Sequence, residues 1–205
     1  MTPGYWDEAR QILAEGDPVL RRLIELYAGP ALRRRSDAFT ALARAIVGQQ
    51  ISVKAADALW NRLADRLGGV TPPAVAAAGV DALRATGLSL RKAEYVHDIA
   101  RAFTDGTIVL DAWERLDDEA LIAALTGLRG IGRWTAEMFL IFYMLRPDVL
   151  PLDDIGLQRA IRLHYGNDRP VSKLKMRSIA RRWLPYRTVA TWYLWRSLDP
   201  FPVEY

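Results

Sequence analysis

The amino-acid sequence predicts an all-α fold of about ten short helices arranged in two helical layers. Apolar residues recur at helical spacing along most of the 205 residues, whereas the strict alternation that marks half-buried strands is nearly absent. Capping residues and glycine or proline stops divide this pattern into short segments with brief connections. A chain of this length can bury one large core or two small ones.

Most of the predicted helices begin at a residue that favours a helix N-terminus. The side-chain oxygens of Asp and Ser accept hydrogen bonds from the free amides of the first turn, and proline suits the first helical position. In chain order, we expect helices to start at Asp37, Ser52, Pro72, Val80, Ser89, Asp117 or Asp118, Gly132, Asp153–Asp154, Lys173 and Tyr186.

Glycine and proline mark where several of these helices end. The second predicted helix stops at Gly68–Gly69, after apolar residues spaced four apart between Ala55 and Leu67. Pro147 and Pro151 bracket a loop. The segment from Gly132 to Leu145 is apolar on nearly every side, which predicts a central buried helix.

The amino-acid composition excludes several classes of functional site. The chain has no cysteine, which excludes disulfides, thiol nucleophiles, cysteine-ligated zinc and iron–sulfur clusters. Its two histidines, His97 and His164, lie far apart, so we expect no transition-metal centre. The longest apolar run, Met138–Leu145, is too short to cross a bilayer. The N-terminus contains acidic residues and no apolar core, so we expect a cytoplasmic protein without a membrane partner.

Positive charge is concentrated near the C-terminus. The net charge is +4, and nine Lys or Arg against a single acid lie between Arg159 and Arg187. A basic segment on an otherwise mildly acidic chain suggests a polyanion as partner. Charge alone slightly favours a solvated helical face, so this observation only supports other evidence.

A bare glycine corner, LRGIGRWTA, joins two predicted helices at Leu128–Ala136. Glycine serves where the backbone needs a positive φ or where another molecule approaches it closely. The amides of Gly130 and Gly132 would point outward at the start of the second helix and form an anion site suited to a phosphate. Taken alone, a Gly-x-Gly pair is more often a simple turn.

Four sequence blocks in this order resemble the helix–hairpin–helix DNA glycosylases, over roughly residues 37–198. They are AIVGQQISVKAADALW, LTGLRGIGRWTAEMFL, RPDVLPLDDIGLQRAI and LPYRTVATWYLW. The first and last are similar to the alkylbase branch, the DNA-3-methyladenine glycosylase II enzymes. The resemblance implies a compact form without the N-terminal β domain of the best-known member. It also implies two helical subdomains with a cleft between their layers: about residues 40–150, and about 1–39 plus 151–205.

The resemblance implies that the protein flips a damaged base out of the duplex and hydrolyses its N-glycosidic bond. The family's catalytic aspartate falls on Asp154, because the spacing to Arg159 fits that register. A carboxylate at a helix N-terminus is stabilised by the helix dipole and can support positive charge that develops on the sugar. Asp153 is then a helix cap or a supporting residue.

Trp134 stands where lyase-type relatives of the superfamily carry a lysine that forms a Schiff base. Without an amine at this position, the resemblance implies a monofunctional enzyme that uses water. An indole face attracts cationic bases such as 3-methyladenine or 7-methylguanine through cation–π contacts. The implied base pocket comprises Trp134, Trp195 and Met138, the last replacing a tyrosine of a relative. We expect Trp192, Tyr193 and Tyr186 to pack in the core.

The resemblance also places the residues that contact DNA. Gln50 occupies the position of the side chain that fills the gap left by the flipped nucleotide, and Gln49 precedes it. Both glutamines could instead satisfy backbone groups of their turn. The implied DNA-binding set is Gln49, Gln50, Gly130, Ile131, Gly132, Arg133 and Thr135.

One ion is implied at the hairpin, where the carbonyls of Thr126, Leu128 and Ile131 would hold Na+ or K+ next to a DNA phosphate. The resemblance implies no other cofactor. The expected partner is double-stranded DNA with damaged bases, bound by a monomer beside the chromosome.

Three alternatives remain open at this stage. A non-enzymatic helix–hairpin–helix module would need the hairpin and basic residues, but neither Asp154 nor the paired tryptophans. A helix–hairpin–helix glycosylase for other damaged or mismatched bases would share most of the motifs, although Trp134 and the GQQIS block argue against it. A helical interaction protein is the third.

Overall fold

The computed structural model describes residues 2–29, 31–34 and 36–198. These residues form twelve α-helices, one 3₁₀ turn at Arg181–Trp183 and no strand, which confirms the all-α prediction. The helices are α1 (Trp6–Gly16), α2 (Pro18–Leu26), α3 (Ala38–Gly48), α4 (Val53–Leu67), α5 (Pro72–Arg84), α6 (Leu90–Thr104), α7 (Leu110–Glu114), α8 (Asp118–Thr126), α9 (Arg133–Phe142), α10 (Ile155–Tyr165), α11 (Lys173–Ala180) and α12 (Arg187–Arg196).

The helices group into two compact units. Ser36–Phe139 forms one, which we call the hairpin unit. The described residues before and after that segment form the other, which we call the aspartate unit.

Side-chain caps close eight of the helix N-termini among the described residues. Each cap is an Asp, Ser or Thr oxygen that accepts a hydrogen bond from an amide of the first turn. The capping residues are Asp17, Asp37, Ser52, Thr71, Ser89, Asp117, Asp154 and Ser172. The sequence predicted the starts of seven of these eight helices, and the exception is α2 after Asp17.

The structure contains three helices that the sequence pattern did not predict: α1, α2 and α7. Helix α7 has five residues, which is too short for a helical period to show. At α5, two helices were predicted and one element is found, but Gly79 has φ 73° and ψ 167° and breaks the helix where the prediction divided it. Helix α9 ends at Phe142, three residues before the predicted Leu145.

A series of aromatic rings forms part of the core of the hairpin unit. Phe39 meets Phe103, Phe103 meets Trp113, and Trp113 meets Phe139, with centroid distances of 5.7, 6.4 and 5.8 Å. All three pairs pack edge to face, the arrangement that ring quadrupoles favour. These contacts tie α3, α6, α7 and α9 together.

The aspartate unit is built around α12, whose residues are buried on every side from Thr188 to Arg196. Trp192 and Tyr193 are buried against Trp6 of α1, and Tyr186 is buried as well. These positions agree with the core packing expected for the three aromatic residues.

Asp17 is a fully buried carboxylate at the start of α2. One of its oxygens accepts the amides of Val19 and Leu20. The other accepts the Tyr165 hydroxyl at 2.9 Å and the Trp183 indole N–H at 3.0 Å. Burial and the neighbouring Asp17 charge raise the pKa of Tyr165, so its hydroxyl remains a donor. Asp17 thus connects three segments that are distant in sequence.

The described residues lack two kinds of feature. None of their helices is long and apolar enough to cross a membrane. No group of three or more His, Cys, Asp or Glu is placed to hold a metal ion.

Candidate active site

The corner between α8 and α9 requires glycine at Gly130. Its φ is +88°, a region that side-chain-bearing residues rarely adopt. A Cβ there would also lie 2.3 Å from Cδ2 of Tyr95. Gly132 is different, because a Cβ at that position would meet nothing within 4 Å. The first glycine is needed for packing, whereas the second leaves the backbone bare on its exposed side.

No side chain of the preceding residue caps the free amides at the start of α9, because that residue is Gly132. The Ile131 amide closes the corner by donating to the Leu128 carbonyl at 3.1 Å. Within the described part of the chain, the amides of Gly130 and Gly132 donate to no protein acceptor. Such amides at the positive end of a helix dipole can receive an anion.

Several predicted DNA-binding side chains around the corner are occupied within the protein. Arg133 donates two hydrogen bonds to Glu119, at 2.5 and 3.0 Å, and one to buried Glu137 at 3.1 Å. These carboxylates raise the pKa of Arg133, and Arg133 lowers the pKa of Glu119. The side chains of Ile131 and Thr135 are buried. A ligand at Ile131 or Thr135 would therefore meet backbone and not side chain, whereas the Arg133 side chain is exposed but already paired with carboxylates.

The two glutamines of the GQQIS block have different surroundings. Gln49 donates its side-chain amide to the Gly130 carbonyl at 2.9 Å, so it serves the hairpin backbone. Gln50 is exposed and has φ 59°, an unusual conformation for a residue with a side chain. Gln50 is thus the more exposed of the pair, whereas Gln49 is half-buried and bonded to the hairpin.

Trp134 and Met138 lie one turn apart on α9. The Trp134 side chain is 36% exposed despite its size, whereas Met138 is buried. A large exposed aromatic residue beside a bare helix start is available to a ligand.

Asp154 is the cap of α10 and is only 7% exposed. Its Oδ1 atom accepts the Leu157 amide at 2.6 Å and the Trp195 indole N–H at 2.7 Å. Asp153 is exposed and forms an ion pair with Lys173. Of the two roles expected for Asp153, helix cap or supporting residue, the cap role was therefore wrong, because Asp154 takes that position.

Packing contacts fix the Trp195 ring beside the Asp154 carboxylate. Its ring stacks on Phe142 with a centroid distance of 5.8 Å and an angle of 11°. A Cβ at Gly156 would lie 3.1 Å from both Asp154 Oδ1 and Trp195 Cδ1. The predicted pocket residue Trp195 and the predicted catalytic residue Asp154 are thus in direct contact.

A family model for the HhH-GPD superfamily of base excision DNA repair proteins matches residues 43–186. The chain belongs to this superfamily. The matched segment contains the GQQIS turn, the glycine corner and Asp154, whereas Trp195 lies beyond it.

Individual HhH-GPD relatives agree with this assignment. The DNA-3-methyladenine glycosidase of Bacillus halodurans has 36% identity and a TM-score of 0.85, over 97% of this chain and 92% of that one. The Schizosaccharomyces pombe 3-methyladenine DNA glycosylase, solved in complex with abasic DNA, has 34% identity and a TM-score of 0.78, over 93% and 96%. Escherichia coli DNA-3-methyladenine glycosylase 2 is 33% identical over 82% of this chain, which spans 61% of that relative.

Sequence reasoning did not single out several residues that shape the site of this HhH-GPD chain. Tyr95 packs against Gly130, Lys92 contacts the GQQIS turn, and Phe142 supports Trp195. Each acts through a partner distant in sequence. The sequence motifs identify the groups that these three residues contact. A single sequence gives no signal for the contacts themselves.

Proposed function

We propose that this chain is a monofunctional DNA glycosylase that releases alkylated bases from double-stranded DNA. The observation that carries this proposal is the Asp154 carboxylate, fixed at the start of α10 by the Leu157 amide and the Trp195 indole. Membership in a base excision repair superfamily and the alkylbase glycosylases among its relatives support the same activity.

Asp154 provides the electrostatic part of the reaction. Both donors stabilise its negative charge, and their fixed positions prevent the carboxylate from turning away. When the glycosidic bond breaks, its electron pair leaves with the base and positive charge develops on the sugar. Water adds its oxygen at C1′ and gives up a proton, which Asp154 can accept. The products are the free base and an abasic site.

Trp134 supports both the monofunctional route and the choice of base. The described residues of α9 include no lysine, so this helix offers no amine for a covalent Schiff-base intermediate. A base alkylated at N3 or N7 carries positive charge, which makes it a good leaving group and attracts it to an indole face. We propose Met138 and Trp195 as further parts of the base pocket.

Replacing Trp134 with alanine should weaken capture of cationic bases while leaving nonspecific duplex binding unchanged. A cation–π contact is worth about 0.5–2 kcal/mol, so kcat/KM for 3-methyladenine release should fall roughly 2- to 30-fold. Trp134→Phe should lie between the variant and the wild type. Binding to undamaged duplex, measured at several salt concentrations, is the control. Equal loss of both properties would contradict the assignment.

Replacing Trp195 with phenylalanine tests whether its N–H orients the catalytic group. The variant keeps an aromatic ring against Phe142 but removes the hydrogen bond to Asp154. Hydrogen bonds to charged groups contribute about 1.5–3 kcal/mol, so the single-turnover rate should fall about 10-fold or more. Affinity for the damaged duplex should change little. A loss confined to affinity would make Trp195 a pocket wall only.

The hairpin unit supplies the proposed DNA contacts. The bare amides of Gly130 and Gly132 suit a phosphate, and exposed Gln50 suits the gap left by the flipped nucleotide. The remaining predicted positions, Gln49, Ile131, Arg133 and Thr135, would support these contacts or offer backbone groups. We propose that a monomer binds damaged double-stranded DNA in this way, in the cytoplasm with the chromosome.

We propose that the hairpin carbonyls bind a monovalent cation. Among the described residues, the carbonyls of Thr126 and Ile131 accept no hydrogen bond, and that of Leu128 accepts one. Na+ or K+ bound by these three oxygens would add positive charge beside a DNA phosphate. We propose no other cofactor, and the hydrolysis uses none.

The decisive experiment uses a duplex that contains one 3-methyladenine or 1,N6-ethenoadenine. Release of the base leaves an abasic site, which alkali converts to a strand break. Strand breaks without alkali treatment would indicate lyase chemistry and contradict the monofunctional route. Binding without any base release would show a DNA-binding module and not an enzyme.

A further inference from the structure

Helix α6 contacts both parts of the hairpin unit that the proposed function assigns to DNA. Its Lys92 donates to the carbonyls of Val47 and Gln49, both at 2.8 Å, where α3 ends and the GQQIS turn begins. One turn further along α6, Tyr95 lies directly against Gly130 of the hairpin. The spacing of three residues places both side chains on one face of the helix.

The Lys92 ammonium donates to two backbone carbonyls. No ion pair joins it to a carboxylate in the described part of the chain, and burial lowers its pKa. The carbonyls at the end of a helix carry the negative end of its dipole, so an ammonium placed there is stabilised. Lys92 therefore fixes the point at which the chain leaves α3.

The turn that Lys92 holds contains a conformation that needs support. Gln50 follows the bound Gln49 carbonyl and has φ 59°, which is unfavourable for a residue with a side chain. The Gln49 side chain donates to the Gly130 carbonyl and so joins the turn to the hairpin. Two contacts of the preceding residue thus position the exposed Gln50 side chain. Lys92 holds the Gln49 carbonyl, and the Gln49 side chain binds the Gly130 carbonyl.

The hairpin is fixed on α6 by a second set of contacts. Arg129 lies over the Tyr95 ring, with 5.3 Å from Cζ to the centroid. It also donates to Asp98 at 2.9 Å and to Glu94 at 3.2 Å. Because both elements rest on one helix, the position of Gln50 is set relative to the hairpin amides.

We propose that Lys92 is a positioning residue for nucleotide flipping, because it presents Gln50 to the duplex at a fixed place relative to the hairpin. This inference rests on the proposed function. A side chain that fills the gap left by a flipped nucleotide stabilises the flipped state only if its backbone is already in place. Without Lys92, the turn must become ordered each time a nucleotide flips, and the free-energy cost of that ordering opposes flipping.

The test compares Lys92→Met with Arg91→Met. Arg91 is exposed on the same helix and forms no ion pair with any described residue, so both variants lose one charge. The probe is a duplex with 2-aminopurine beside an abasic-site analogue, whose fluorescence rises when the base unstacks. The fluorescence rise and the single-turnover rate of 3-methyladenine release should each fall about 10-fold in Lys92→Met and remain near wild type in Arg91→Met.

A double-variant cycle with Gln50→Ala separates positioning from a general structural role. If Lys92 acts through Gln50, the double variant flips no worse than Gln50→Ala alone. Additive losses, or a Lys92→Met variant that flips like Arg91→Met, would overturn the proposal. Should Lys92→Met fail to fold, Lys92→Gln retains one donor and enters the same cycle. Wild-type protein that unstacks the probe but releases no alkylated base would refute the proposed function, and the fluorescence ratio of Lys92→Met to Arg91→Met would then decide the role of Lys92.

Discussion

Asp154→Asn should abolish base release, lowering the single-turnover rate by roughly 10³-fold or more, while the protein stays folded and binds DNA. The amide removes the negative charge that stabilises the sugar cation. Its oxygen can still accept the Leu157 amide and the Trp195 indole N–H, and asparagine is a good helix cap. The measurement is release of 3-methyladenine from a duplex with enzyme in excess.

The matched control for this variant is the adjacent acid. Asp153→Asn makes the same chemical change one residue away, at an exposed side chain that pairs with Lys173. It should retain near wild-type base release, because exposed ion pairs contribute little. Retained turnover in Asp154→Asn would mean that the catalytic carboxylate lies elsewhere. Equal losses in both variants would point to general electrostatics.

Asp17→Ala should lower the free energy of unfolding by about 3–5 kcal/mol, the largest stability effect that we expect in this chain. The substitution removes the acceptor for two α2 amides, the Tyr165 hydroxyl and the Trp183 indole N–H. All four of these hydrogen bonds are buried or partly buried with the carboxylate. Urea unfolding followed by circular dichroism measures the loss.

The control for Asp17→Ala is Asp37→Ala, which measures the effect of losing a helix cap alone. Asp37 also caps a helix, α3, but it is exposed, and among the described residues it accepts hydrogen bonds only from Thr40. Its removal should cost about 1 kcal/mol. Similar losses in the two variants would show that Asp17 acts only as a cap and that its indole and phenol contacts contribute nothing.

The all-α class and most helix starts were predictable because their causes are local. Asp37, Ser52, Ser89 and Asp117 each directly precede the helix that they cap. The resemblance to a glycosylase family was readable for a similar reason, since each motif is a continuous block. The start of α2 was missed, although Asp17 caps it in the same manner.

What could not be predicted depends on partners far apart in the chain. Gln49 and Gly130 are separated by 81 residues, and Trp195 and Asp154 by 41. The sequence therefore left open whether Gln49 serves DNA or its own backbone. It also assigned Trp195 to a pocket without showing that its N–H meets the carboxylate. Such pairings arise from packing, which a single sequence does not encode as a readable pattern.

The bare start of α9 has an evolutionary consequence. Serine or aspartate at position 132 would meet no steric obstacle and would stabilise α9 by about 1 kcal/mol, as caps do at eight other helices. Either would also place a side-chain oxygen over the amides proposed to receive a phosphate, and aspartate would repel it. Selection for thermal robustness and selection for repair thus act in opposite directions on this one residue. Glycine at position 132 forgoes the capping energy and leaves these amides open.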